Sequence, residues 1–209
     1  MIYDLSPNRR GVGRAPRTLA AFRAARIHAE AIELNGDPDD AIRRLTALDM
    51  RLSRAPEIQA PVLDSIRIWR AILSAAKRDG SQTARRFADR ARQQGDKIVE
   101  GLETSSRAAA DVVSSYWHRA AVERRCRGGE SAREETIELF ECSLPLRPNI
   151  PRDLRSRGMV TGDLCVLHGE REKGARILSE TVQGFQDVLP RHHESALKQL
   201  VERDLWRAA

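Results

Sequence analysis

The sequence predicts an all-α protein: an α-solenoid of about four antiparallel helical hairpins with a C-terminal capping helix. Three observations carry this. Apolar residues recur at helical spacing along segment after segment. Polar, Gly-containing turns separate those segments. Small residues open the second helix of each pair at Ala41, Ala84, Ala132 and Gly174, with successive spacings of 43, 48 and 42. Hydrophobic residues make up 41% of the chain but aromatic ones only 4%. An Ala-rich, aromatic-poor composition suits closely packed helices better than a β-sandwich.

The first helix is expected over 18–34. In "TLAAFRAARIHAEAIELNG" one stripe runs through Leu19, Phe22, Ala25, Ala29 and Ile32, and another through Ala20, Ala24, Ile27, Ala31 and Leu34. Arg23, Arg26, Glu30 and Glu33 take the remaining face. Two stripes at 3–4 spacing imply neighbours on two sides. The third helix, expected over 58–78, repeats the pattern. Val62, Ile66, Trp69, Leu73 and Ala76 form one stripe, Ile68, Ile72 and Ala75 the other, with Asp64, Arg67, Arg70, Ser74 and Lys77 on the polar side. In the fifth, over 104–127, Val113, Tyr116, Trp117 and Ala120 are apolar, and Arg107, Asp111, Ser114 and His118 share a polar edge.

The turns are "NGDPDD", "RDGSQT", "RGGESA" and "HGEREK". Gly permits the left-handed backbone that ends a helix, and Asp, Ser or Thr nearby can cap the next one. Second helices are therefore expected over 38–52, 82–101, 131–143 and 171–188, the last following a first helix over 151–168. "SLPLRPNIPRD" (143–153) holds three prolines and is read as a loop or bend between the third and fourth hairpins. Residues 1–17 lack a periodic stripe and read as a flexible basic arm, with 18–209 forming one helical-repeat domain. A last helix is expected from about 193. Its stripe of Leu197, Leu200, Val201 and Leu205 would close the open end of the stack.

Two copies share a finer register. Ala29 and Gly162 lie seven positions before the turn residues Gly36 and Gly169, and Leu45 and Leu178 lie nine after them. Small residues where two helices cross let their backbones approach. This pattern of repeated hairpins resembles the tetratricopeptide-repeat superfamily in a divergent bacterial form. The small residue of the first helix matches Ala29 and Gly162. The turn glycine matches Gly36 and Gly169, and the Ala of the second helix matches Ala41, Ala84 and Ala132, with Gly174 in its place. The resemblance covers most of 18–189. It implies a scaffold or regulatory module that binds protein in a groove lined by the first helix of each pair. That groove would present Arg23, Arg26, Arg67, Arg70, Asp111, Ser114 and His118. Of these, Arg23, Arg26, Arg67, Arg70 and His118 are the expected partner-binding residues, and an Arg-lined groove favours an acidic peptide or protein segment.

Charge supports a second reading. The first 26 residues hold six arginines and one acid, so they carry +5 of the net +6. Arg9, Arg10, Arg14 and Arg17 could grip phosphates of a nucleic acid, weakly, in a nucleic-acid-associated protein. Only four of the 36 basic residues are Lys.

No apolar run approaches the roughly 20 residues that span a bilayer, and the N-terminus lacks a signal-peptide core. A cytoplasmic protein without membrane partners is expected. Cys126, Cys142 and Cys165 are too few and too widely spaced for a disulfide framework or a zinc site, so buried free thiols are expected. Ser114 and His118 are four apart on one helix, but a mid-helix Ser lacks free oxyanion donors. His192 and His193 are adjacent and diverge on a helix, unlike a metal-binding i, i+4 pair. A non-enzymatic chain with no cofactor and no metal is the expectation.

Overall fold

A computed structural model describes residues 18–54, 61–129, 131–147 and 151–184, the backbone alone for 151–156. Eight α-helices account for most of the described residues, and no strand occurs among them. They are α1 (Leu19–Leu34), α2 (Pro38–Arg54), α3 (Val62–Asp79), α4 (Gln82–Glu100), α5 (Arg107–Arg127), α6 (Ala132–Ser143), α7 (Pro151–Leu167) and α8 (Arg171–Gln183). The expected arm with Arg9, Arg10, Arg14 and Arg17, and the expected helix from 193, lie outside the described residues.

The helix ends follow local chemistry. Thr18, Ser81 and Ser106 cap α1, α4 and α5, each side chain accepting a backbone N–H of the first turn. Every expected turn contains a glycine at positive φ, and Gly80 at φ 66° closes α3 in the left-handed region. α7 starts at Pro151, where the missing N–H costs no helical hydrogen bond.

Each helix packs against the one after it within a pair: α1 on α2, α3 on α4, α5 on α6, α7 on α8. Successive pairs meet differently. α2 carries the first pair onto α3, α3 lies directly against α5, and α6 makes a smaller contact with α7. One continuous core runs from Phe22 through Ile66, Leu73, Tyr116 and Phe140 to Val160 and Leu167. Met159, Leu178 and Val182 form a separate cluster between α7 and α8.

The shared register marks real helix crossings. Ala29, Ala41 and Leu45 are fully buried where α1 crosses α2. At the equivalent place in the last pair, a Cβ on Gly174 would lie 2.8 Å from the Gly162 carbonyl oxygen. A Cβ on Gly162 would lie 2.5 Å from Leu178. Those helices touch backbone to backbone.

Two expectations need correcting. The second stripe of α1 does not find a neighbour along its length: Ile27 is 57% and Leu34 68% exposed. α1 is the first described helix, and it is the other stripe, Phe22 and Ala29 with Ala25 and Ile32, that packs into the core. The thiols are free, but only Cys165 is buried, while Cys126 and Cys142 are exposed. No helix among the described residues is long and apolar enough to cross a membrane.

Candidate interaction surface

α1 and α3 run parallel with their polar faces opposed. Arg23 pairs with Asp64, Arg70 with Glu30, and Arg78 with Glu33, so rising positions on one helix meet rising positions on the other. Their backbones make few close approaches. Long side chains bridge the space instead.

The pairing is specific. Arg23 donates Nε and Nη2 to Asp64 at 3.0 and 2.8 Å, a two-pronged fork. Arg67 donates to the same carboxylate at 3.2 Å. Asp64 is buried, which opposes its ionisation. The Arg23 hydrogen bonds, then the Arg23 and Arg67 charges, outweigh that and hold its pKa below the ordinary carboxylate value. One helical turn on, Glu30 accepts from Arg26 and, at 3.4 Å, from Arg70. Arg70 also donates to Ser115 Oγ of α5 at 3.2 Å. Next, buried Glu33 accepts from Ser74 at 2.9 Å and pairs with Arg78 at 3.2 Å.

Arg119 of α5 lies one turn beyond Ser115, on the same face. It makes no hydrogen bond or ion pair within the described residues, yet it is crowded. Desolvation, then the like charge of Arg70, with Arg78 adding, lower its pKa against the opposing pull of Glu33 and Glu30. It keeps water-exposed surface. The surface thus gathers six guanidiniums (Arg23, Arg26, Arg67, Arg70, Arg78, Arg119) on three helices, around Asp64, Glu30 and Glu33.

The structure therefore brings together four of the five expected residues and modifies their roles. Arg23, Arg67 and Arg70 keep between 30% and 44% of their side-chain surface exposed, whereas Arg26 keeps 12%. Arg26 acts inside the surface, as a clamp on Glu30. His118 is not placed with the arginines. Its ring lies 5.7 Å from that of Phe140 on α6. Ser114 is buried and donates to the Ser143 carbonyl, while Ser143 donates back to the Ser114 carbonyl. The polar edge of α5 is rotated by one residue from the expected one: Ser115 and Arg119 face α3, not Ser114 and His118. Arg78 and Glu33 were also missing from the expected binding set. The period running Asp111, Ser115, Arg119 was the available signal for α5.

Elsewhere, Asp49 of α2 accepts from Trp69 Nε1 of α3 at 3.0 Å and lies 3.9 Å from Arg90 of α4. It borders a cavity with room for about one water. Burial raises its pKa in spite of both partners. Among the described residues no group of three or more His, Cys, Asp or Glu could hold a metal ion.

Comparison with protein-family models finds no match for this chain. Neither a curated protein nor a solved structure matches it.

Proposed function

We propose that this chain is a non-catalytic helical-repeat interaction module of the tetratricopeptide type, its hairpins stacked as a solenoid. It binds an acidic peptide or protein segment along the polar faces of α1, α3 and α5. The observation that carries this reading is the gathering of six guanidiniums on three helices around three carboxylates. Asp111 of α5 adds one further acid on the same edge and leaves an excess of positive charge. Carboxylates already hold Arg23, Arg67 and Arg70 in place, so an acidic ligand meets preordered donors and loses less entropy on binding.

The test is an array of acidic nine-residue peptides, probed with the full chain and with Arg67→Ala/Arg70→Ala. Wild type should bind a subset, with affinity falling as salt rises. The double variant should lose that binding while unfolding within about 1 kcal/mol of wild type, the scale of surface changes. Equal binding by the double variant would end the reading.

A further inference from the structure

We infer that Arg119, with Arg70, Arg78 and Ser115, forms a subsite for a phosphomonoester, carried on a side chain of the acidic segment proposed above. This inference rests on that reading and adds the class of group the surface is built to hold.

The first argument is charge balance. At this end of the surface Arg26, Arg70, Arg78 and Arg119 stand against Glu30 and Glu33, four guanidiniums against two carboxylates. That is an excess of two positive charges. A single carboxylate would neutralise half of it. A phosphomonoester carries about −1.5 to −2 at neutral pH and matches it.

Donor geometry is the second argument. Arg26, Arg70 and Arg78 are each committed to an acceptor, and Arg119 is not. Ser115 Oγ accepts from Arg70 Nη1. Its own hydrogen is donated to no described group, which leaves one O–H donor on the residue one helical turn before Arg119. Three acceptor oxygens on one phosphorus could take Arg119, Ser115 and the outward edge of Arg70 or Arg78 together. A planar carboxylate has only two oxygens for the same donors. Glu30 and Glu33 would then serve to hold Arg70 and Arg78 in position. The surface is also within reach of water: Arg119 is exposed, and Arg78 keeps 47% of its side-chain surface open.

The experiment uses the same acidic peptides in three forms, with Ser, Glu or phosphoserine at the central position. Binding to the full chain is read by fluorescence anisotropy. The phosphoserine form should bind about tenfold more tightly than the Ser form, the effect of new charge-assisted hydrogen bonds. The Glu form should fall between them. Arg119→Gln should remove the preference for phosphoserine, weakening the phosphoserine form far more than the Ser form, so that the two bind alike. Arg119→Lys should keep part of it, and Arg176→Gln on α8 should keep all of it. Ser115→Ala should reduce the preference, which provides a second variant if Arg119→Gln unfolds. Equal binding of Ser and phosphoserine forms by wild type overturns the subsite and leaves the acidic-segment reading standing. Absence of binding by any form overturns both. If inorganic phosphate alone binds as tightly as the phosphopeptides, the site serves a free ion, and the inference fails.

Discussion

The phenol of Tyr116 on α5 fills a notch that Gly95 leaves in α4, and its hydroxyl donates to Asp96 at 2.6 Å. A Cβ on Gly95 would collide with the ring and its oxygen. Tyr116 is fully buried, and its ring meets Trp117 edge-on with centroids 5.2 Å apart. The phenol is held protonated by burial first and by the Asp96 charge next.

Gly95→Ala therefore has two opposed effects. Helix propensity favours Ala by about 1 kcal/mol, and overpacking costs about 1–3 kcal/mol. A net loss of about 1–2 kcal/mol is expected by urea denaturation. With Tyr116→Leu in place the collision is relieved, and the same Gly95→Ala change should become neutral or stabilising. A cycle of these four proteins in which the two changes add independently would refute the notch.

Asp49 and Asp64 should respond oppositely to one substitution. For Asp64, the folded pKa lies below the unfolded value of about 4. Its ionised form therefore stabilises the fold above that pH, and the contribution is lost as pH falls through the folded value. Asp64→Asn should destabilise by about 1–3 kcal/mol at pH 7, the scale of hydrogen bonds to charged groups. The difference from wild type should shrink below about pH 4.

Asp49 has the reverse sign. Its folded pKa is raised, so the protonated form is favoured by folding, and that contribution is lost as pH rises through the folded value. Asp49→Asn keeps an oxygen for Trp69 Nε1 and removes a charge from the edge of a small cavity. It should raise stability at pH 7 by about 1 kcal/mol. The gain should fade as pH approaches about 4. Thermal melts of both variants from pH 3 to pH 8 would check the pair, and loss of stability in Asp49→Asn at pH 7 would contradict the assignment.

The α7–α8 crossing predicts that the small residues of the first and last hairpins are not interchangeable. Ala41 is accommodated against α1 with full burial. At Gly174 a Cβ would lie 2.6 Å from Val166 and 2.8 Å from the Gly162 carbonyl. Gly174→Ala should lower the melting temperature despite the better helix former, because a backbone carbonyl cannot step aside as a flexible side chain can. Its cost should exceed that of Ala41→Gly, which loses mainly helix propensity of about 1 kcal/mol.

The helices were legible in the sequence because their causes are local. Stripes at 3–4 spacing, Ser and Thr caps and turn glycines act within a few residues, and α1 to α7 start and stop within a few positions of the expected bounds. The small residues at Ala29, Ala41, Gly162 and Gly174 were legible for the same reason: a crossing needs small side chains at fixed offsets from a turn. The polar faces of α1 and α3 could also be read, since the face opposite two apolar stripes is the one left over.

What only the tertiary structure decided is which charges meet. Asp64 binds Arg23 across 41 positions, and Arg70 reaches Glu30 and Ser115 across 40 and 45. No local pattern sets such distances; they follow from how α3 is seated between α1 and α5. The same seating rotated the edge of α5 by one residue, about 100°, turning Ser114 and His118 toward α6 and Arg119 toward the arginines. Periodicity identifies a face to within about one residue. Only packing against two neighbours selects the side chain that points between them.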